Sequence, residues 1–143
     1  GASMVEIEAL KRQINQLDDT IGRDGGSNGG WSQRDHDTFL RLWTHEFGPA
    51  ATSAVALSKI DVDDMRQHVH DLSMRAELSI PDLTFVEIKE HANWYVRYVG
   101  RLERKREIVE QWRRLRARAQ AQRNAEADAQ SQRGHDEGMG VRG

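Results

Sequence analysis

Thr84-Phe85-Val86-Glu87-Ile88-Lys89-Glu90-His91-Ala92-Asn93-Trp94-Tyr95 opens a run with no further proline to the end of the chain. Thr84 with Glu87 three residues later forms a capping box: the hydroxyl takes the Glu87 N–H while the carboxylate reaches back to Thr84. Helix formers follow, so the spacing predicts one helix from about Phe85 to about Gln130, with Gly100 as its only weak point. At 1.5 Å per residue such a helix is roughly 65–70 Å long. That is about twice the width of a small helical head, so its distal half is expected to project.

Upstream, Trp31-Ser32-Gln33-Arg34-Asp35 reads as a helix start, with Ser32 as N-cap and Asp35 in the capping-box position. His36, Phe39, Leu40, Trp43 and Phe47 recur at helical spacing. Gly48 stops that helix and Pro49 can start the next turn. Residues 50–59 read as a short helix. Asp61 caps another, with Val62, Met65, Val69, Leu72 and Ala76 on one stripe. Ile80-Pro81-Asp82-Leu83 is a loop. Nothing reads as a strand, and the expected fold class is all-α.

At the start of the chain, Ile7, Leu10, Ile14, Leu17 and Ile21 are spaced 3, 4, 3, 4, a short heptad seam with Ile at a and Leu at d. A helix this short does not hold alone in water, so its stripe needs a partner. Two solutions are open: pairing of two chains, for which Ile at a and Leu at d lean toward a parallel dimer, or docking along the long helix of the same chain. The acidic end of the seam, Asp18-Asp19, helps either. A homodimer is the expectation and intrachain docking the runner-up. Gly22 to Gly30 reads as a flexible linker. The expected organisation is a tag remnant (Gly1-Ala2-Ser3) and heptad helix over 1–21, a Gly/Ser-rich linker over 22–30, a helical head over 31–100, a projecting basic helix over 101–133 and a disordered tail over 134–143.

The 143 residues include 31% charged and 37% hydrophobic residues, a balance suited to a small core with long solvated helices. The absence of cysteine excludes a disulfide scaffold, thiolate zinc sites and a cysteine nucleophile. No apolar run approaches the roughly 20 residues needed to span a membrane, and no signal peptide is visible. The net charge of -2 conceals segregation. Residues 97–123 hold ten Lys/Arg against three Glu, or +7, which leaves -9 for the rest.

Several sharper chemistries compete with this pattern. His68 and His70 lie about 200° apart around a helix and share no face, so no metal is expected. His36 between Asp35 and Asp37 lacks an accompanying nucleophile or phosphate loop, which points to packing and capping; no enzyme activity and no cofactor are expected. Trp31, Phe39, Leu40, Trp43, Trp94 and Tyr95 have the spacing of a small helical core rather than of a ligand cage. His91, one turn before Trp94, reads as a hydrogen-bonded core edge.

Arg101, Arg104, Lys105, Arg106, Arg113, Arg114, Arg116 and Arg118 wrap most of the long helix, with Ile108, Trp112 and Leu115 as an apolar stripe among them. A solvated helix has no use for an exposed Trp in that setting. Arg101, Arg104, Lys105, Ile108, Trp112, Arg113, Leu115 and Arg116 are therefore the expected partner-binding residues. Acidic protein surfaces, tubulin among them, and another coiled coil are the candidate partners; RNA is a further one.

Two segments in order carry a family resemblance. The first is Trp31-Ser32-x-x-Asp35-His36-Asp37-x-Phe39-Leu40-Arg41. The second is Leu78-x-x-Pro81, Thr84-x-x-Glu87 and His91-x-x-Trp94-Tyr95-x-x-Tyr98, continuing through Leu102, Lys105-Arg106, Ile108 and Trp112-Arg113. Together, over roughly residues 31–116, they resemble the divergent Myb/SANT-like helical module of coiled-coil domain-containing proteins of the 112/148 type. The resemblance implies a SANT/Myb-like bundle with inserted helices running into a long coiled-coil-type helix. It also implies a non-enzymatic scaffold of the cytoplasm and cytoskeleton, at the centrosome, basal body or cilium. Residues 49–78 are longer than a simple Myb repeat allows. A Myb-like repeat reads DNA with the first turns of its last helix, and here Glu87 and Glu90 face Lys89 alone, the wrong charge for a phosphate-lined groove. Nuclear DNA or chromatin binding is the alternative.

Overall fold

A computed structural model describes residues 2–142, with side chains described for residues 3–135. Among the described residues five α-helices follow one another: α1 (Ala2–Arg23), α2 (Gln33–Phe47), α3 (Ala54–Ser58), α4 (Val62–Ser79) and α5 (Phe85–Arg142). Short 3-10 turns occupy Gly26–Asn28 and Gly48–Ala50, and there is no strand among the described residues. The fold is all-α.

Local chemistry sets the helix ends. The Ser32 hydroxyl accepts the Asp35 N–H at 3.2 Å and the Asp61 carboxylate accepts the Asp63 N–H at 3.2 Å. At Thr84 the box closes both ways: Oγ1 accepts the Glu87 N–H at 3.2 Å, and Glu87 Oε1 accepts the Thr84 N–H at 3.3 Å. Gly48 ends α2 at φ +57°, in the left-handed region open to glycine. Helix α5 passes Gly100 unbroken and extends through Arg142, beyond the expected end near Gln130 and into the stretch expected to be disordered. Glycine weakens a helix by only about 1 kcal/mol against alanine, and no proline intervenes to stop it. Gly143 lies outside the described residues.

The chain divides into two compact units: residues 16–105, and the first fifteen residues together with those from 106 onward. The division falls within α1 and α5, not at the glycine-rich stretch. In the 16–105 unit, Phe39, Trp43, Phe47, Leu57, Val69, Leu72, Ala76, Ile80, Ile88, Trp94, Tyr95 and Val99 belong to one buried cluster. Trp43 is fully enclosed, and its indole N–H donates to the Ala51 carbonyl at 2.7 Å, so no donor is stranded. Glu46 on α2 binds α4 through His68 Nδ1 at 2.9 Å and Arg75 at 2.7 Å. Val62, expected on the α4 stripe, is instead exposed, because it occupies the first turn, ahead of the buried positions 69, 72 and 76.

The glycine-rich stretch is not a flexible spacer. It makes a tight turn, with Gly25, Gly26, Gly29 and Gly30 all at positive φ. Gly29 lies so near the aromatic core that a Cβ there would sit 2.7 Å from the Trp94 ring and 2.9 Å from His91. Glycine serves here for close approach as well as for its backbone angle.

The second unit is a pairing of two helical segments, α1 up to Asn15 and α5 from Arg106. Ile14, Ile108 and Ala119 are buried there. The first part of the heptad seam is thus covered inside one chain, the solution ranked second from the sequence. Leu17 and Ile21 belong to the other unit, where both are half-buried.

Candidate protein-interaction face

Two groups of side chains have chemistry beyond packing. The first is an imidazole cluster in the 16–105 unit. His36 on α2 and His91 on α5 are both buried, with His36 Nδ1 2.9 Å from His91 Nε2. Only one proton can occupy that line, so one ring donates and the other accepts. Trp31 stacks on His91 at 3.6 Å with the planes 8° apart, and Phe39 meets His91 edge-on at 4.6 Å. Burial, then the neighbouring His36, pushes the His91 imidazole down to about 3; burial lowers His36 as well. Both rings are therefore neutral at physiological pH, each satisfying the other. His91 is the hydrogen-bonded core edge that its place before Trp94 suggests, and the pairing with His36 adds a partner that spacing alone does not show.

The expected core residues sit together. Phe39, Trp43, Trp94 and Tyr95 are buried, while Trp31 and Leu40 are half-buried against them. Burial raises the Tyr95 phenol. Among the described residues no group of three or more His, Cys, Asp or Glu side chains could hold a metal ion. His68 is bound to Glu46, and His70 meets the Phe85 ring edge-on at 5.3 Å.

The second group is the basic surface of α5, which is divided in its use. Within the 16–105 unit the cations are answered by the end of α1 and the turn after it. Arg97 pairs with Asp24 at 3.2 Å, Arg101 pairs with the same carboxylate, and Lys105 pairs with Asp18 at 2.6 Å. Hydrogen bonds from Arg97 and then Arg101 hold the Asp24 carboxyl below its ordinary range. Arg101 and Lys105, expected to bind a partner, are thus engaged within the chain, and Ile108, expected to be offered to one, is buried. The physical reason is the acid at the end of the heptad seam, Asp18, together with Asp24 in the glycine-rich turn that follows it. Arg104 is exposed on the helix.

In the other unit the remaining expected residues stay accessible. Trp112 is half-buried, with Lys11 Nζ 5.1 Å and the Arg116 guanidinium 4.6 Å from its ring. Such cation–π contacts hold an indole at a wet surface without enclosing it. Leu115 is half-buried, and Arg113 and Arg116 are exposed. Trp112, Arg113 and Arg116 line a shallow cavity of about 320 Å³ with Ala117, Gln120 and Arg123. From Gln111 to Arg123 the sequence carries five arginines and no carboxylate. This stretch of α5 thus carries an indole, an aliphatic side chain and five arginines, of which Arg114 pairs with Glu110 at 3.4 Å.

Fold and surface together define an all-α protein of coiled-coil type, whose described helices include none long and apolar enough to cross a membrane. Comparison with known proteins agrees with that class. The chain is similar to coiled-coil domain-containing protein 112 of Macaca fascicularis, 21% identical over 109 residues, and of Mus musculus, 23% identical over 109 residues. The match covers 76% of this chain and 20% of each relative, so the chain spans about a fifth of the length of the curated relatives it matches. No protein-family model matches the chain, and no solved structure matches it.

Proposed function

We propose that the chain is a non-enzymatic protein-interaction module of a centriolar, basal-body or ciliary scaffold, and that it docks partners through the basic face of α5. The observation that carries this reading is the contrast along α5: Arg97, Arg101 and Lys105 are matched by Asp24 and Asp18, whereas the arginines of residues 113–123 surround a half-exposed Trp112 and Leu115. Similarity to coiled-coil domain-containing protein 112 supports a scaffold over an enzyme. The SANT/Myb-like character of the head is part of the proposal and rests on the Trp31–Arg41 and Thr84–Tyr98 motifs.

The competing reading is a nuclear, DNA- or chromatin-binding protein. The first turns of α5 speak against it, since the Glu87 carboxylate is consumed by the Thr84 cap and Glu90 is exposed beside it. An acidic helix start repels the phosphate backbone that supplies most non-specific affinity. The test is the location of the tagged protein in ciliated cells. Concentration at centrosomes or basal bodies is expected, and concentration on chromatin would contradict the proposal. A salt titration with duplex DNA adds a second check: binding, where present, is weak, sequence-blind and lost at physiological salt.

A further inference from the structure

The two helical segments of the smaller unit leave a groove of about 420 Å³ between them. Helix α1 lines it with Glu6, Ala9 and Leu10, and α5 with Gln111, Arg114, Leu115 and Arg118. On both helices these are i, i+3, i+4 rows, and rows of that spacing run along one face. Two helices that each turn such a row into a shared groove form the seat that a third helix occupies in a bundle, its side chains entering the spaces between the rows. The floor is apolar, for Ala9, Leu10 and Leu115 are all half-buried and retain surface that a third helix would remove from water.

Glu6 stands on the α1 side of the rim, and the α5 side selects the occupant by charge. Arg114 and Arg118, one turn apart, border the groove, within a stretch of α5 that carries five arginines and no carboxylate between Gln111 and Arg123. Arg114 pairs with Glu110 at 3.4 Å, but both side chains are largely exposed, and an i,i+4 pair of that kind is readily exchanged for a partner's carboxylate. A second copy of this chain would present the same arginine block to this one, a like-charge arrangement that disfavours self-pairing. We infer that the groove between α1 and α5 is the docking seat for an acidic amphipathic helix of another protein, apolar at i, i+3/i+4 and i+7 and flanked by Asp or Glu facing Arg114 and Arg118. The inference rests on the scaffold reading above and narrows it to one surface and one partner chemistry.

The test uses the full chain and a labelled helical peptide with Leu at a and d and Glu at the flanking positions, followed by fluorescence anisotropy. The peptide binds the native chain, and its counterpart with Lys in place of Glu does not. Arg114→Glu with Arg118→Glu, both at exposed positions, weakens the Glu peptide at least about tenfold, leaves the thermal transition unchanged and brings in the Lys peptide. Equal binding of the two peptides to the native chain, or indifference to the charge reversal, would overturn the inference. A uridine oligonucleotide that outcompetes the Glu peptide would overturn it in favour of nucleic acid. A chain dimer that dissociates on Leu115→Glu would overturn it in favour of a second copy. Failure of the peptide with centrosomal location intact removes only the groove. Chromatin location with the peptide bound removes the scaffold reading alone.

Discussion

Residues 85–105 and residues 106–123 lie on the same helix and are used in opposite ways. The first stretch gives Ile88, Ala92, Trp94, Tyr95 and Val99 to a shared aromatic core and Arg97, Arg101 and Lys105 to carboxylates of the same chain. The second buries Ile108 and Ala119 and leaves Trp112 and Leu115 half-covered. Among the described ion pairs, the arginines from 113 to 123 reach a carboxylate only through Arg114 and Glu110. What separates the two is whether the chain supplies the complement. Where it does, basic residues contribute to folding; where it does not, the same residue types stay exposed on the helix.

The largest effect that sharpens this contrast falls in the aromatic core. Trp43→Ala removes a fully enclosed indole and strands the Ala51 carbonyl, and a change of that kind costs about 3–5 kcal/mol. Small domains hold little more than that in reserve. The core is expected to lose its cooperative melt while circular dichroism still reports helix; an unchanged transition would break the assignment.

The glycine turn offers the next largest effect and an internal control. Gly26→Ala meets only the backbone cost of a left-handed residue, about 1–2 kcal/mol, since nothing lies near its Cβ. Gly29→Ala meets that cost and drives a methyl into the Trp94 ring, adding about 1–3 kcal/mol. Urea unfolding of the pair should place Gly29→Ala clearly below Gly26→Ala. Equal midpoints would mean that the turn does not pack on the core.

Acid should act on the core through the imidazole pair. His91 is held at about 3 in the folded state against about 6.5 when unfolded. A depressed pKa gives stability that is complete above the unfolded value and declines as pH falls toward the folded one. The expected loss is about 2 kcal/mol between pH 7.5 and pH 5. Asp24 is also lowered, but from an ordinary value of 3.8, so its contribution is constant over that interval. Unfolding midpoints across the range check this, and a flat profile would contradict the neutral buried pair. The smallest effect is at Asp24 itself: exposed ion pairs contribute up to about 1 kcal/mol, so Asp24→Ala should lower stability slightly in dilute buffer and not at all in concentrated salt.

Much of this was legible in the residues. The caps at Ser32, Asp61 and Thr84 read directly because each is a local hydrogen bond encoded within a few positions. The aromatic core followed from helical spacing. Pairings across long separations did not read: His36 with His91, and Asp24 with Arg97 and Arg101, join residues whose nearness is set by packing. The stretch Gly22 to Gly30 misled because glycine composition signals freedom, whereas four of its glycines are held at positive φ and one abuts an indole. A closer signal was present in Asp24, an acid one turn beyond a heptad seam that faces a basic helix. The division of the basic surface into matched and unmatched parts was likewise hidden, because the sequence shows charge but not which charges find partners.

The central claim, that the exposed arginines of residues 113–123 serve recognition and not stability, is tested most directly by Arg113→Glu with Arg116→Glu in the tagged chain, imaged in ciliated cells beside a thermal melt of the same variant. An unchanged melt and loss of the centrosomal or basal-body signal are expected. A variant that keeps its location, or one that unfolds, would contradict it.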